Sequence, residues 1–131
     1  MELIAILGIG ALTFFAAFGQ HLYTVRSKGV GFVMTDRSQP LSSDGFAGRS
    51  GRALRNTVES SAMYVPAALV VVVLSGQTQI TATAALVYLI ARVGFLAAYW
   101  VGASGLRSGF WGVGIASIVA TYVGAISALS R

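Results

Sequence analysis

Leu3-Ile-Ala-Ile-Leu-Gly-Ile-Gly-Ala-Leu-Thr-Phe-Phe-Ala-Ala-Phe-Gly-Gln-His-Leu-Tyr-Thr-Val25 contains no lysine, arginine, aspartate or glutamate. An α-helix needs about 20 such residues to cross a bilayer, so this stretch is long enough to span one. Met1-Glu2 before it brings an acid and no basic residue, whereas a secretory leader opens with positive charge. The stretch is therefore expected to be a retained first membrane helix.

The same pattern continues outward from it. Of the 131 residues, 56% are hydrophobic and only 10% charged, against about a quarter charged in ordinary soluble domains. One core of this length cannot hide so much apolar surface; lipid can cover the remainder. Gly29, Gly31, Pro40, a Ser-Ser-Asp turn and Gly45 break the chain after the first stretch. Ser75-Gly76-Gln77-Thr78-Gln79 and Ala103-Ser104-Gly105 break it twice more. Spans at about 3–25, 49–74, 80–103 and 107–130 follow, predicting an all-α, integral membrane four-helix bundle in a single domain over residues 1–131.

Charge sets the expected orientation. Arg26, Lys28, Arg37, Arg49, Arg52, Arg55 and Arg107, seven of the nine basic residues, fall on the side of the first and third loops. Lysine and arginine mark the cytoplasmic face, which places both termini outside and these loops in the cytoplasm. That topology accounts for the net charge of +5 without a nucleic-acid partner. The chain has no cysteine, one histidine and four carboxylates, a poor set for a disulfide framework, a cysteine nucleophile or a protein-built metal site. His21 reads as an interfacial residue. Gly112, Ala116, Ala120, Gly124 and Ala128 recur every four residues along the last span, a small-residue stripe that lets helix backbones approach closely in lipid.

Chemistry is concentrated at the start of the second span. Successive residues of a helix are about 100° apart, so Arg49, Arg52, Arg55, Asn56 and Glu59 lie within about 120° on one face. Arg49 also reads as a headgroup anchor. Asn56 and Glu59 lie deeper, where polar groups are expensive and turn toward protein or water. Arg92 sits midway along the third span, at a cost of about 3 kcal/mol on insertion scales. Glu59 is the only acid expected inside a span, which predicts a Glu59–Arg92 pair or a shared polar cavity. Tyr99 lies on the face that carries Tyr88, Arg92 and Phe95. Arg107-Ser108 opens the fourth span, where a helix N-terminus attracts anions; an interfacial Arg-Trp anchor with Trp111 is the alternative. Arginine-rich clusters of this kind suit a small ligand carrying carboxylates, and any nucleophile would have to be borrowed.

The order Arg49-x-x-Arg52-Ala53-x-x-Asn56-x-x-Glu59, then Arg92-Val93, Tyr99 and Arg107-Ser108, resembles the membrane-associated proteins in eicosanoid and glutathione metabolism, the MAPEG family. Arg52 to Glu59 is especially similar to its prostaglandin E synthase branch, and the likeness covers nearly the whole chain. It implies a homotrimer that binds glutathione between subunits. The resemblance implies cofactor contacts at Arg55, Asn56, Glu59 and Tyr99, with Arg107 and Ser108 beside the sulfur as the catalytic pair; Arg52 and Arg92 join the cofactor-binding set from their place in the same polar cluster. A bacterial-type member in the inner or plasma membrane would conjugate or reduce lipophilic electrophiles arriving from the lipid, as a glutathione transferase- or peroxidase-like enzyme. The sequence departs from that branch at Ala62, Phe95 and Trp111, where it has Pro, His and Tyr. A non-catalytic lipid binder or accessory subunit of a larger membrane complex is the rival reading; anion transport has little behind it, because no pair of broken helices is evident.

Overall fold

The computed structural model describes residues 1–36 and 42–130; Arg37, used above for orientation, and Pro40, used above as a breaker, lie outside the described residues. Four helices follow in order: α1 (Glu2–Val33), α2 (Gly45–Val73), α3 (Gln79–Val101) and α4 (Ser104–Leu129). All four are long and apolar enough to cross a membrane, and the described residues contain no strand. The chain is an all-α integral membrane protein. Backbone polar groups cannot be solvated by hydrocarbon, so each crossing must satisfy its own hydrogen bonds as a helix.

Helices α2 and α3 form the central diagonal, each packing on all three others, whereas α1 and α4 do not meet. Ala5, Ile9, Tyr64, Ala68, Ala85, Tyr88 and Ile118 build the main core. Within it Tyr64 stacks on Tyr88 at 3.9 Å between centroids, and the Tyr88 hydroxyl shares a 3.1 Å hydrogen bond with Ser60. Leu7, Phe14, Ile80 and Val123 stay exposed on the flanks, the arrangement expected where the surrounding solvent is lipid.

The helix ends differ from the sequence expectation. Helix α1 runs on past Val25 to Val33, through Arg26 and Lys28, because charge ends a hydropathic stretch without ending a helix. Gly29, at φ 84° and ψ 162°, bends it near its end. Helix α2 starts at Gly45, ahead of Arg49, and α4 starts at Ser104, ahead of Arg107. Pro66 lies inside α2, where it costs the Ala62 carbonyl its usual donor. Gly102 ends α3 in the left-handed conformation. Its N–H donates to Tyr99 and that of Ala103 to Ala98, the paired bonds that close a helix at a glycine.

Two packing features of the opposite end were not anticipated. Glu2, and not Glu59, is the buried acid of the described helices: its carboxylate accepts the Thr81 hydroxyl at 2.6 Å and pairs with the Met1 amine at 3.1 Å. Thr81 also accepts the Thr78 N–H in the capping box that opens α3. The small-residue stripe of α4 divides in use. Gly124 is packed so tightly on Thr81 that a Cβ would collide, and Gly76 receives Ala128 in the same way. Gly112 faces open space, and Ala116 and Ala120 line a groove of about 490 Å³ with Gln79, Thr83 and Val87 of α3.

Candidate functional site

The polar residues of α2 divide between two faces. Ser50, Ala53, Thr57 and Ser60 are buried against the other helices. Arg52, Arg55 and Glu59 lie on the exposed flank, with Asn56 half-buried at the boundary. This split is the helical period at work: residues 53, 57, 60 and 64 share the core side, and Glu59 falls about 60° beyond Asn56 on the side away from it.

Arg92 is 1% exposed and finds its partners at that boundary. One terminal nitrogen donates to Asn56 Oδ1 and the other to Thr57 Oγ1, each at 3.2 Å. The guanidinium also lies over the Phe95 ring, 4.2 Å from its centroid. The expected Glu59–Arg92 pair does not form among the described residues. Rotation about α2 explains the correction, because it turns Asn56 and Thr57 toward α3 and carries Glu59 outward. Arg92 is thus a buried cation whose side-chain hydrogen-bond acceptors are neutral.

Two clefts flank this centre. A small one, about 90 Å³, is lined by Arg49 and Arg52 of α2, Tyr99 of α3, and Ser104 and Arg107 of α4, with the intervening turn. Arg107 lies over the Tyr99 ring at 5.0 Å, so the turn at Gly102 brings these two together. A larger one, about 320 Å³, is lined by Arg52 and Arg55 together with Gln20 of α1, Ser42 and Ser43. Arg52 donates to the Ser43 carbonyl at 3.0 Å.

Of the residues singled out from sequence, Arg52, Tyr99 and Arg107 meet in the small cleft, and Asn56 meets Arg92. Arg55 joins Arg52 on the α1 side. Glu59 lies on the exposed flank, one turn from Arg55, without an ion pair or hydrogen bond among the described residues. Ser108 is exposed and donates to the Ser104 carbonyl at 3.3 Å, so it does not reach Arg107's cleft. Thr57 and Gln20 went unnoticed in the sequence. The period that places residue 53 in the core also places Thr57 there, four residues on; nothing in the sequence marks Gln20, whose role depends on the approach of α1 to α2.

In electrostatic terms the two clefts gather four arginines, Arg49, Arg52, Arg55 and Arg107, with the Glu59 carboxylate one turn from Arg55 and Arg92 buried behind them. Guanidinium forks bind carboxylates in two-point geometry, and a carboxylate one turn away offers a partner for an ammonium. A profile described as the MAPEG family matches residues 3–127 of the chain. No curated relative and no solved structure matches it.

Proposed function

The chain belongs to the MAPEG family, and from that premise we propose that it binds glutathione on the outer flank of α2 and presents it to lipophilic electrophiles. The observation that carries this reading is the exposure of Arg55 and Glu59 on a membrane-spanning helix. Lipid solvates neither charge, at a cost of a few kcal/mol each, so both call for a covering partner. A neighbouring copy in a homotrimer covers the flank, and the γ-glutamyl end of glutathione, with its ammonium and carboxylate, matches the two charges. The basic end of the bundle faces the cytoplasm, the compartment from which the tripeptide would enter.

In this scheme Arg55, Asn56 and Glu59 hold the tripeptide. Arg52 and Tyr99 extend the contact toward the small cleft, and Arg92 fixes the Asn56 amide from inside. When bound, glutathione supplies the nucleophile, a thiolate. Arg107, already held over Tyr99, places a positive charge where it favours loss of the thiol proton. Ser108 would offer a hydroxyl donor after leaving the Ser104 carbonyl.

The present bond of Ser108 favours a second reading, a binding-only lipid binder or accessory subunit that keeps the fold without turnover. Titration calorimetry of the detergent-solubilised protein with glutathione decides the first point. Wild type should bind, and Glu59→Gln should bind about tenfold more weakly, the loss expected for one charged hydrogen bond. Absence of binding at millimolar glutathione would overturn the proposal. That absence would favour the second reading, whereas binding without any rise in thiolate absorbance would keep the tripeptide site and remove activation of the thiol.

A further inference from the structure

We propose that Arg49 is a positioning residue that couples α2, which holds the tripeptide, to the α3–α4 turn, which places Arg107. The inference rests on the glutathione reading above, although its structural half stands without it. Arg49 lies in the first turns of α2 and is half-buried. Its Nη2 donates to the Trp100 carbonyl at 3.4 Å, one of the last carbonyls of α3. Its head packs close to the turn: a Cβ placed on Gly102 would sit 3.7 Å from Nε and 3.8 Å from Cζ. Gly102 holds φ 83° there, so the contact falls at the hinge of the turn. Nε is buried without a hydrogen-bond partner among the described residues, and the side chain lines the small cleft with Ser104 and Arg107.

The physical case is a cation at a helix C-terminus. Unpaired carbonyls and the negative end of the helix dipole attract a guanidinium. By holding Trp100 and resting on Gly102, Arg49 fixes where α3 stops and therefore where α4 begins. The Arg107 N–H donates to Ala103 at 3.1 Å, so Arg107 stands one turn beyond that hinge. Displacement of the hinge moves Arg107 relative to Arg55 and Glu59, which belong to α2. A residue acting in this way changes activation of the thiol more than retention of the tripeptide.

Arg49→Ala and Arg49→Lys separate the possibilities. In Arg49→Ala the thiolate absorbance of bound glutathione should fall about fivefold, the factor matching a cation at a helix C-terminus, with Kd changed less than about twofold. Arg49→Lys keeps the charge and should recover most of the signal. Hydrogen exchange of the ligand-free protein gives a readout independent of glutathione: the amides of 102–105 should exchange faster in Arg49→Ala, and those of mid-α3 should not. Should the alanine variant not fold, Arg49→Gln replaces it in both measurements. A Kd loss as large as the thiolate loss would make Arg49 a direct ligand and overturn the proposal, as would unchanged exchange at 102–105. If wild type shows no glutathione binding, the functional reading fails and the exchange result alone decides the clamp.

Discussion

Arg92 is the residue at which stability and function separate most clearly. A buried cation with neutral acceptors retains much of its desolvation cost, since Asn56 and Thr57 supply dipoles and no charge. Replacement by an apolar side chain of similar length removes that cost. Arg92→Met should therefore leave thermal stability in detergent within about 1 kcal/mol of wild type, or raise it. Thr57→Val is the contrasting change: it keeps the charge and deletes an acceptor, and should cost about 1.5–3 kcal/mol. Melting curves of the two variants check the order; a large loss in Arg92→Met would make Arg92 a structural residue. The helical phase of Asn56 and the need for a partner to Arg92 were both legible in the sequence. Which of Asn56, Thr57 and Glu59 would answer was not, because successive residues differ by about 100° and a modest rotation of α2 about its axis selects among them.

At the scale of the helices, the four crossings are legible because hydropathy and breakers act locally. Contacts between distant segments leave no such mark. Glu2 and Thr81 meet across 79 positions, and a carboxylate beside the start of the chain reads as solvent-facing until α3 is placed next to it. The stripe on α4 makes the same point, since its regular spacing says nothing about which members are used. Gly124 meets Thr81 within contact distance, whereas Gly112 faces open space. Gly124→Ala should therefore cost about 1–3 kcal/mol through overpacking against Thr81, while Gly112→Ala should stay within about 0.5 kcal/mol. Denaturant titration of both variants tests this. An equal loss at Gly112 would mean that another helix covers the upper half of the stripe in the assembled protein.

For the whole molecule the governing quantities are length and charge. From Glu2 to the break at Gly29, α1 is about 40 Å long, against a hydrocarbon core of about 30 Å, so part of it must stand outside the apolar layer. Arg26 and Lys28 near its end and Arg49, Arg52 and Arg107 on the other helices make the end with the first and third loops the one that projects. In the proposed orientation, the collar of guanidinium and ammonium groups there faces the cytoplasm, the side that retains basic loops. The hairpin Ser75–Gln79, which carries no charge, lies on the other side with both termini. The chain has no cysteine, so single-cysteine variants report position without background. In right-side-out vesicles, Gln77→Cys should react with a membrane-impermeant maleimide at once, and Ser42→Cys only after permeabilisation. The reverse pattern would invert the topology and remove the cytoplasmic entry route for the tripeptide, while leaving the flank of Arg55 and Glu59 still in need of a cover.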